Sequence, residues 1–258
     1  MPGTTALVRR PSSRLQQGEL THLDRARLDR IGVDIDLAGR QWDAYVSALA
    51  DHGFGIVEVD VAEEFPDSVF VEDTAVVFGR TAVIANPGAV SRRGETAGTR
   101  ATIEALGLEV RELADGHLDG GDVLKVGATV YVGRGGRTDA AGIRSLRRLV
   151  TPLGYEVVAV PVARVLHLKS AVTALPDGTV IGHAPLVEYP QLFPRFLAVP
   201  EESGAAVVVL DETSVLMASS APLTAELIEN LGYSVVTVDV GEFEKLEGCV
   251  TCLSVRVR

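Results

Sequence analysis

The chain has 258 residues, of which 47% are hydrophobic, and it carries a formal net charge of −11. That length permits one or two domains with a sizeable core, and the negative charge argues against nucleic acid as a partner because it repels phosphates. No run of ~18 apolar residues is present to span a membrane, the N-terminus lacks the apolar segment of a secretory signal, and two cysteines make no disulfide framework, so we expect a cytoplasmic protein.

A segment made of a helix, a glycine and a short strand recurs four times along the chain. The pattern of apolar residues predicts helices over about residues 38–52, 95–106, 139–153 and 221–231. Each ends at a glycine, which suits the left-handed residue that closes a helix, and each glycine opens a strand rich in β-branched residues. These strands are Gly53–Val59, Gly107–Leu113, Gly154–Val160 and Gly232–Val238.

Pairs of apolar runs typical of hairpins lie between these segments, at Asp73–Ala85, Asp122–Val132, Val172–Ile181 and Ala205–Met217. A C-terminal strand, Val250–Val257, requires a partner near Ala6–Arg9, so the two termini complete a fifth unit. Chance recurrence in an ordinary α/β protein is the alternative, which four similar copies disfavour. We therefore predict an α/β fold in which five units of one helix and three strands form a five-bladed ring, a single catalytic domain over residues 1–258 with one central cavity.

Four side chains that could take part in catalysis lie twelve to twenty residues after the repeat glycines of four different units: Asp73, Asp119, His167 and Cys252. If the units are equivalent, these side chains point at the same centre. A carboxylate, an imidazole and a thiol are the groups that a cysteine hydrolase needs. The spacing therefore predicts an active site in the central cavity.

Cys252 has two further interpretations. A free cysteine is commonly a buried core residue, and Cys249 and Cys252 together form a Cys-x-x-Cys pair that could serve redox chemistry or zinc binding. We predict that Cys252 lies on the C-terminal strand, where residues three apart point to opposite faces, and the chain has no second cysteine pair to complete a zinc site. The nucleophile is thus the favoured interpretation, and the core thiol is second.

The other candidates also have structural explanations. A histidine between leucines is commonly structural, but its offset favours His167 over His117, which lies two residues before Asp119. The two glycines after Asp119 predict a tight turn that lets the backbone approach another group closely. Glu72 and Asp73 form an acidic pair between apolar strands, and because unpaired buried charges are costly, this pair predicts a cationic ligand.

These stretches resemble the dimethylarginine dimethylaminohydrolases. The resemblance rests on six dispersed motifs that follow in the family's order: Pro66-Asp67 with Phe70–Asp73, Ser91–Arg93, Leu118–Leu124, Arg137-Thr138, Leu166–Ser170 and Thr251-Cys252. It extends from about residue 6 to the C-terminus. The family belongs to the pentein, or guanidine-modifying, superfamily, whose five-fold ββαβ propeller is the ring predicted above.

The resemblance implies a role for each matching residue. It makes Cys252 the nucleophile, His167 the general acid and base, and Asp119 the carboxylate that orients His167. The implied substrate contacts are Glu72 and Asp73 for the guanidinium, Asp67 and main-chain groups near Leu20 and Leu246 for the amino-acid end, and Arg92 and Arg137 for the α-carboxylate.

The implied activity is hydrolysis of asymmetric dimethylarginine or monomethylarginine to citrulline and dimethylamine or methylamine, through a covalent thiouronium on cysteine. We expect no cofactor and no metal, a small cationic amino acid as the partner, and neither nucleic acid nor membrane; a homodimer stays open. The alternatives are another pentein guanidine hydrolase such as an arginine deiminase, a non-catalytic binding module on the same fold, and a redox protein that uses Cys249 and Cys252.

Overall fold

The computed structural model describes residues 4–258, which form five three-stranded sheets. The strands are β1 Thr5–Val8, β2 Gly55–Glu58, β3 Ala75–Phe78, β4 Thr81–Ile84, β5 Glu109–Glu112, β6 Val123–Val126, β7 Thr129–Arg134, β8 Glu156–Pro161, β9 Val172–Ala174, β10 Val180–His183, β11 Phe196–Val199, β12 Val207–Val209, β13 Ser214–Ala218, β14 Ser234–Val238 and β15 Val255–Val257. The helices are α1 Arg25–Ile31, α2 Ile35–Asp51, α3 Thr96–Ala105, α4 Ala140–Val150, α5 Leu168–Ala171, α6 Pro222–Asn230 and α7 Gly241–Glu244.

All five sheets share one topology. The first strand is antiparallel to the middle strand, and the third is parallel to it, in the orders β3-β4-β5, β6-β7-β8, β9-β10-β11, β12-β13-β14 and β15-β1-β2. In the last sheet the two ends of the chain meet, with Ala6 opposite Arg256. This pairing confirms the predicted closure of the fifth unit by an N-terminal strand.

In four of the five units described, helices make the parallel connection, because a strand must cross over before it can pair in parallel with its neighbour. The helix α2 shows how the sequence specifies them. The Asp34 carboxylate accepts a hydrogen bond from the Leu37 N–H at 2.8 Å and caps the helix, while Trp42, Tyr45 and Leu49 bury one face. The four predicted closing glycines, Gly53, Gly107, Gly154 and Gly232, all have positive φ.

The fourth unit departs from the predicted pattern. Within residues 4–258, the connection from β10 to β11 contains two short 3₁₀ turns, Ala184–Leu186 and Pro190–Leu192, in place of an α-helix. Proline lacks the backbone N–H that a helix interior requires, and three prolines lie between residues 185 and 194. The expectation of one helix in every unit is therefore wrong here, and β11 lacks the helix and glycine that mark the other third strands.

The segment around Cys252 also differs from the prediction. The last strand, β15, begins at Val255, and residues 250–253 form a turn in which the Cys252 N–H donates to the Cys249 carbonyl at 3.0 Å. The two cysteine side chains therefore do not alternate across a strand.

The first strands of the sheets surround the centre of the ring, where β15 contacts β3 and β9 contacts both β6 and β12. Apolar clusters fill the space between the sheets and the helices outside them. Among residues 4–258, no helix combines the length and apolar character that crossing a bilayer requires. The polar side chains singled out in the sequence precede these first strands by a few residues.

Candidate active site

The four candidate residues occupy equivalent places in four units, each two to five residues before the first strand of its sheet: Asp73, Asp119, His167 and Cys252. Because the first strands line the centre of the ring, these four residues lie where the chain reaches that centre. The short turn that carries Asp73 contacts the short turn formed by the residues after Asp119. The second of these turns also contacts α5, which begins directly after His167. The similar offsets in the sequence therefore reflect equivalent positions in the fold.

His167 is the hub of a buried hydrogen-bonded group. Its Nε2 lies 2.9 Å from Asp119 Oδ2 and its Nδ1 lies 3.7 Å from Asp73 Oδ1, and its side chain is almost inaccessible to solvent. Burial lowers the pKa of His167, but the charge of Asp73 and the hydrogen bond to Asp119 outweigh it and raise the pKa to about 9. His167 is therefore an imidazolium at neutral pH, with a proton to donate.

Asp119 lies behind His167 and is itself fully buried. Its Oδ1 accepts a hydrogen bond from the Gly88 N–H at 2.8 Å, and its own N–H donates to Thr138 Oγ1 at 3.1 Å. These contacts fix the carboxylate so that its other oxygen holds the imidazole. The arrangement is that of an orienting carboxylate.

The glycine pair after Asp119 forms the predicted tight turn. A Cβ on Gly121 would come within 2.5 Å of Asp73 Oδ1 and 2.7 Å of His167 Nδ1, so a side chain cannot be accommodated there. The Gly121 N–H donates to Asp73 Oδ1 at 2.9 Å. Glycine at this position lets the backbone itself orient Asp73.

Arg92 forms a buried ion-pair network with two carboxylates. Its Nη1 lies 2.6 Å from Asp73 Oδ2, and its Nε and Nη2 bind Glu95 at 3.0 and 2.7 Å. Burial raises the pKa of Asp73, but the opposing charges of His167 and Arg92 lower it to about 2. Asp73 is thus an anion held on two sides by cations, and most donors of Arg92 are already engaged.

Cys252 lies at the end of the turn before β15 and is 6% exposed. Its Sγ is 3.3 Å from Cys249 Sγ, and its carbonyl accepts a hydrogen bond from the Glu72 N–H at 3.1 Å. The hydrogen bond with Cys249, burial, and the negative charges of Glu72 and Asp73 together raise the pKa of Cys252 well above its usual value. The thiol is therefore neutral while the site is empty.

One cavity of about 20 Å³ brings most of the predicted residues together. It is lined by Asp67, Asp73, Arg92, Arg137, His167, Leu246 and Cys252, together with Glu19, Phe70, Leu166, Glu247 and Gly248. Of the described residues that were predicted for the site, Leu20, Glu72 and Asp119 do not line it. A space of this size holds about one water molecule, so the residues that cover it must move before an amino acid can enter.

Glu72 faces a different cavity. Its Oε1 pairs with Arg256 Nη2 at 2.7 Å and with the ammonium of Lys169, and its side chain lines a space of about 180 Å³ on the inner side of the sheets. The other carboxylate oxygen is buried without a hydrogen-bond partner among the described residues. In this arrangement the Glu72 carboxylate is held by cations outside the substrate cavity, and its backbone N–H supports Cys252. The contact between Glu72 and a guanidinium stays a prediction.

One terminal nitrogen of Arg137, Nη1, is available to a ligand. Its Nη2 binds Glu19 Oε2 at 3.0 Å, whereas its buried Nη1 has no hydrogen-bond partner within residues 4–258. Glu19 in turn bonds Ser91, and its N–H donates to Asp67 Oδ2 at 2.9 Å. In the empty site the Glu19 carboxylate therefore binds one of the two terminal nitrogens of Arg137.

Glu247 lines the cavity and binds the neighbouring segment Thr21–Leu23. Its carboxylate accepts hydrogen bonds from the N–H groups of Thr21, His22 and Leu23, and its backbone has a positive φ of 61°. Sequence reasoning missed both Glu247 and Glu19, because each is a charged loop residue without a local pattern. The nearness of Glu19 to Leu20 and of Glu247 to Leu246 was the available signal.

Asp73, Asp119 and His167 also place one ligand atom each within 4.8 Å of one another, the spacing of a metal site. Each of these groups, however, is already hydrogen-bonded to protein: His167 to Asp119, and Asp73 to Arg92 and Gly121. The donor set fits a proton relay better than a metal centre, because a metal needs these lone pairs free.

Comparisons with known proteins agree in sequence and in structure, although no protein-family model matches the chain. The chain is 62% identical to a dimethylarginine dimethylaminohydrolase of Streptomyces coelicolor over 259 aligned residues, which cover 100% of the chain and 98% of that protein. It is 36% identical to the dimethylarginine dimethylaminohydrolase of Pseudomonas aeruginosa over 228 residues, 86% of the chain and 89% of that protein.

A solved structure of the Pseudomonas aeruginosa enzyme, a cysteine-to-serine mutant complexed with citrulline, superposes with a TM-score of 0.88 at 33% identity and covers 98% of each chain. A second solved structure is a dimethylarginine dimethylaminohydrolase adduct with S-methyl-L-thiocitrulline, with a TM-score of 0.88, 32% identity and the same coverage. The N-terminal domain of a cyanobacterial arginine dihydrolase, at 20% identity and a TM-score of 0.83, shares the fold alone. The five repeated sheets of the present chain match this fold.

Proposed function

This chain belongs to the dimethylarginine dimethylaminohydrolase family, and from that premise we propose that it hydrolyses Nω-methylated arginine to citrulline and dimethylamine or methylamine. The arrangement of four side chains in the candidate active site supports the proposal. Cys252 and His167 share a cavity with Asp73, and Asp119 holds the far side of the imidazole. Nucleophile, proton donor and cation-binding carboxylate are the groups that this reaction requires.

Substrate binding follows from the charges around the cavity. Asp73, whose carboxylate lies 3.7 Å from the His167 ring and lines the cavity together with Cys252, receives the guanidinium. The unpaired Nη1 of Arg137 receives the α-carboxylate, which replaces Glu19 as the partner of this guanidinium. Asp67, which lines the same cavity, takes the amino-acid end, as does the main chain at Leu246.

Activation of Cys252 depends on the substrate itself. The thiol is neutral in the empty site because its neighbours disfavour a thiolate. A guanidinium about 4 Å away, at an effective dielectric near 20, favours the thiolate by up to ~4 kcal/mol, roughly three pKa units. The carboxylates of the site reduce this stabilisation of the thiolate but do not reverse it. Binding of the cation therefore lowers the pKa of Cys252 and favours its nucleophilic form.

The reaction then proceeds in two halves. The Cys252 thiolate attacks the guanidinium carbon, and His167 protonates the departing dimethylamine, since an amine does not leave as an anion. A thiouronium stays on Cys252. His167, now neutral, takes a proton from water, which attacks the thiouronium carbon, and citrulline leaves with the thiolate restored.

We also propose that the five units act as one catalytic domain over residues 1–258, of which residues 1–3 lie outside the described part. A reducing, cytoplasmic compartment suits the chemistry, because Cys252 must stay a free thiol. No cofactor enters the mechanism. The partner is a small cationic amino acid, whose neutral product in the proposed reaction is citrulline, the ligand bound in the Pseudomonas aeruginosa relative.

Product analysis tests this function against an arginine deiminase. The chain is incubated with asymmetric dimethylarginine, monomethylarginine and arginine in separate reactions, and citrulline, alkylamines and ammonia are quantified. We expect citrulline and dimethylamine in equal amounts from the first substrate. Release of ammonia from arginine at a higher rate than alkylamine from either methylated substrate would instead assign a deiminase, and no citrulline from any of them would leave a binding module.

The proton held by His167 predicts an alkaline limit to activity. Burial lowers the pKa of His167, but Asp73 and Asp119 raise it to about 9, so kcat/KM falls as the pH rises through that value and the imidazolium is lost. Asp119→Asn removes one charge that favours the imidazolium, so the alkaline limb moves to lower pH by about one unit. The same variant lowers kcat, because the imidazole is no longer held in place.

The control for this pH profile is Asp115→Asn, which removes an exposed carboxylate paired with Arg148 at 3.4 Å. The α-ammonium of the substrate titrates equally in every variant, so the displacement between profiles is the quantity to measure. Superimposable profiles and equal kcat for Asp119→Asn and the unmodified chain would remove the orienting role of Asp119.

A further inference from the structure

The two cysteines of the chain face each other across the turn before β15. Their sulfur atoms lie 3.3 Å apart, and Cys249 Sγ is also 3.3 Å from Thr251 Oγ1. The reaction proposed above gives Cys249 no task. Within residues 4–258, the group of side chains spaced to hold a metal ion includes neither cysteine, so a shared zinc ion does not explain the pair.

We propose that Cys249 is a peroxide-reactive thiol, which a hydroperoxide oxidises and which then joins the nucleophile Cys252 in a reversible disulfide. The identity of Cys252 as the nucleophile rests on the proposed function, but the disulfide itself does not. Its formation blocks attack on the guanidinium and keeps the sulfur of Cys252 from irreversible oxidation.

The geometry of the turn favours this bond. The hydrogen bond from the Cys252 N–H to the Cys249 carbonyl, 3.0 Å long, holds the two residues side by side with both thiols on one side of the turn. A disulfide has an S–S length of about 2.04 Å, so the sulfurs must approach by only about 1.3 Å. Rotation of the two side chains can supply a movement of that size without rearranging the sheets.

The two thiols are reached from different sides. Cys249 lines an open groove of about 330 Å³ together with Leu23 and Arg164, whereas Cys252 lines the closed substrate cavity. Glu247 and Gly248 border both spaces and separate them. A small hydroperoxide can therefore meet Cys249 while the substrate cavity is covered.

Cys249 is also the more reactive thiol in the empty site. The hydrogen bond from the Cys252 thiol lowers the pKa of Cys249 to about 7. Burial raises this pKa, and a hydrogen bond donated by the Thr251 hydroxyl lowers it further. A thiolate is the form that hydroperoxides oxidise, and a partly accessible one reacts first. The neutral Cys252 thiol is then the second reactant.

The chemistry balances in two steps. The Cys249 thiolate attacks one peroxide oxygen, the O–O bond breaks, and a sulfenic acid forms, while the released hydroxide or alkoxide takes a proton from solvent and departs as water or an alcohol. The Cys252 sulfur attacks the sulfenic sulfur, the S–O bond breaks, and the hydroxide leaves as water with the Cys252 thiol proton as the S–S bond forms. The two thiols lose two electrons to the hydroperoxide, and a small dithiol returns them by exchange.

Peroxide titration with intact-mass measurement tests the proposal. After stoichiometric hydrogen peroxide, the chain is expected to lose about 2 Da and both titratable thiols, and to lose activity in parallel; dithiothreitol should restore mass, thiols and activity. Cys249→Ser and Cys249→Ala cannot form the bond. With excess hydrogen peroxide, which supplies the two or three oxygen atoms required, each should gain about 32 or 48 Da at Cys252 and recover no activity with dithiothreitol, relative to its own untreated sample.

A third arm uses Cys252→Ser, in which Cys249 should gain oxygen without the 2 Da loss. Dithiothreitol rescue of the two Cys249 variants to the same extent as the unmodified chain would overturn the proposal, as would sulfinic acid at Cys252 in the unmodified chain. Mass and thiol counts need no substrate. They therefore report on the disulfide even if the proposed hydrolysis were absent.

Discussion

Cys252→Ser is expected to lower kcat for dimethylarginine by roughly 10⁴- to 10⁶-fold, the range seen when a catalytic nucleophile is removed. A serine hydroxyl has no accessible anion near neutral pH, and the few pKa units that a bound guanidinium can contribute do not reach it. The measurement is citrulline formation over hours at saturating substrate. The cavity is otherwise preserved, because serine is smaller than cysteine and remains compatible with the turn.

Cys249→Ser is the matched control, since it makes the same chemical change 3.3 Å away. Its turnover should exceed that of Cys252→Ser by several orders of magnitude. Binding by Cys252→Ser should persist and appear as a rise in Tm when dimethylarginine is added. If Cys252→Ser kept turnover within tenfold of the unmodified chain, the covalent mechanism would be wrong.

Arg92→Met is expected to destabilise the fold by about 3–5 kcal/mol, because it leaves buried carboxylates without their cation. Asp73 and Glu95 bind Arg92 at 2.6–3.0 Å, and all three side chains are at most 5% exposed. Methionine fills part of the space but offers no donor. Urea unfolding followed by circular dichroism measures the change as a lower transition midpoint.

Arg100→Met provides the comparison at the surface. Arg100 pairs with Glu104 and Glu112, but its side chain is 37% exposed and those of its partners are over half exposed. Exposed pairs contribute little, so the expected loss is within ~1 kcal/mol. Equal losses in the two variants would show that the buried network around Arg92 does not stabilise the ring.

The sequence alone determined the repeat and, through it, the fold and the positions of the main catalytic candidates. A helix that needs a left-handed residue at its end selects glycine, so Gly53, Gly107 and their equivalents marked the units without any tertiary information. Offsets of twelve to twenty residues from these glycines then located Asp119, His167 and Cys252, because each unit brings its chain to the centre a few residues before its first strand.

Only the tertiary structure decided which way the side chains point. Glu72 adjoins Asp73 in the chain, yet its carboxylate turns to Lys169 and Arg256, cations that come from two other units. Cys249 lies beside Cys252 because residues 250–253 turn instead of extending the last strand. Local periodicity reports backbone conformation, whereas the direction of a buried charge depends on the partners that other blades bring to it, and these lie far away in sequence.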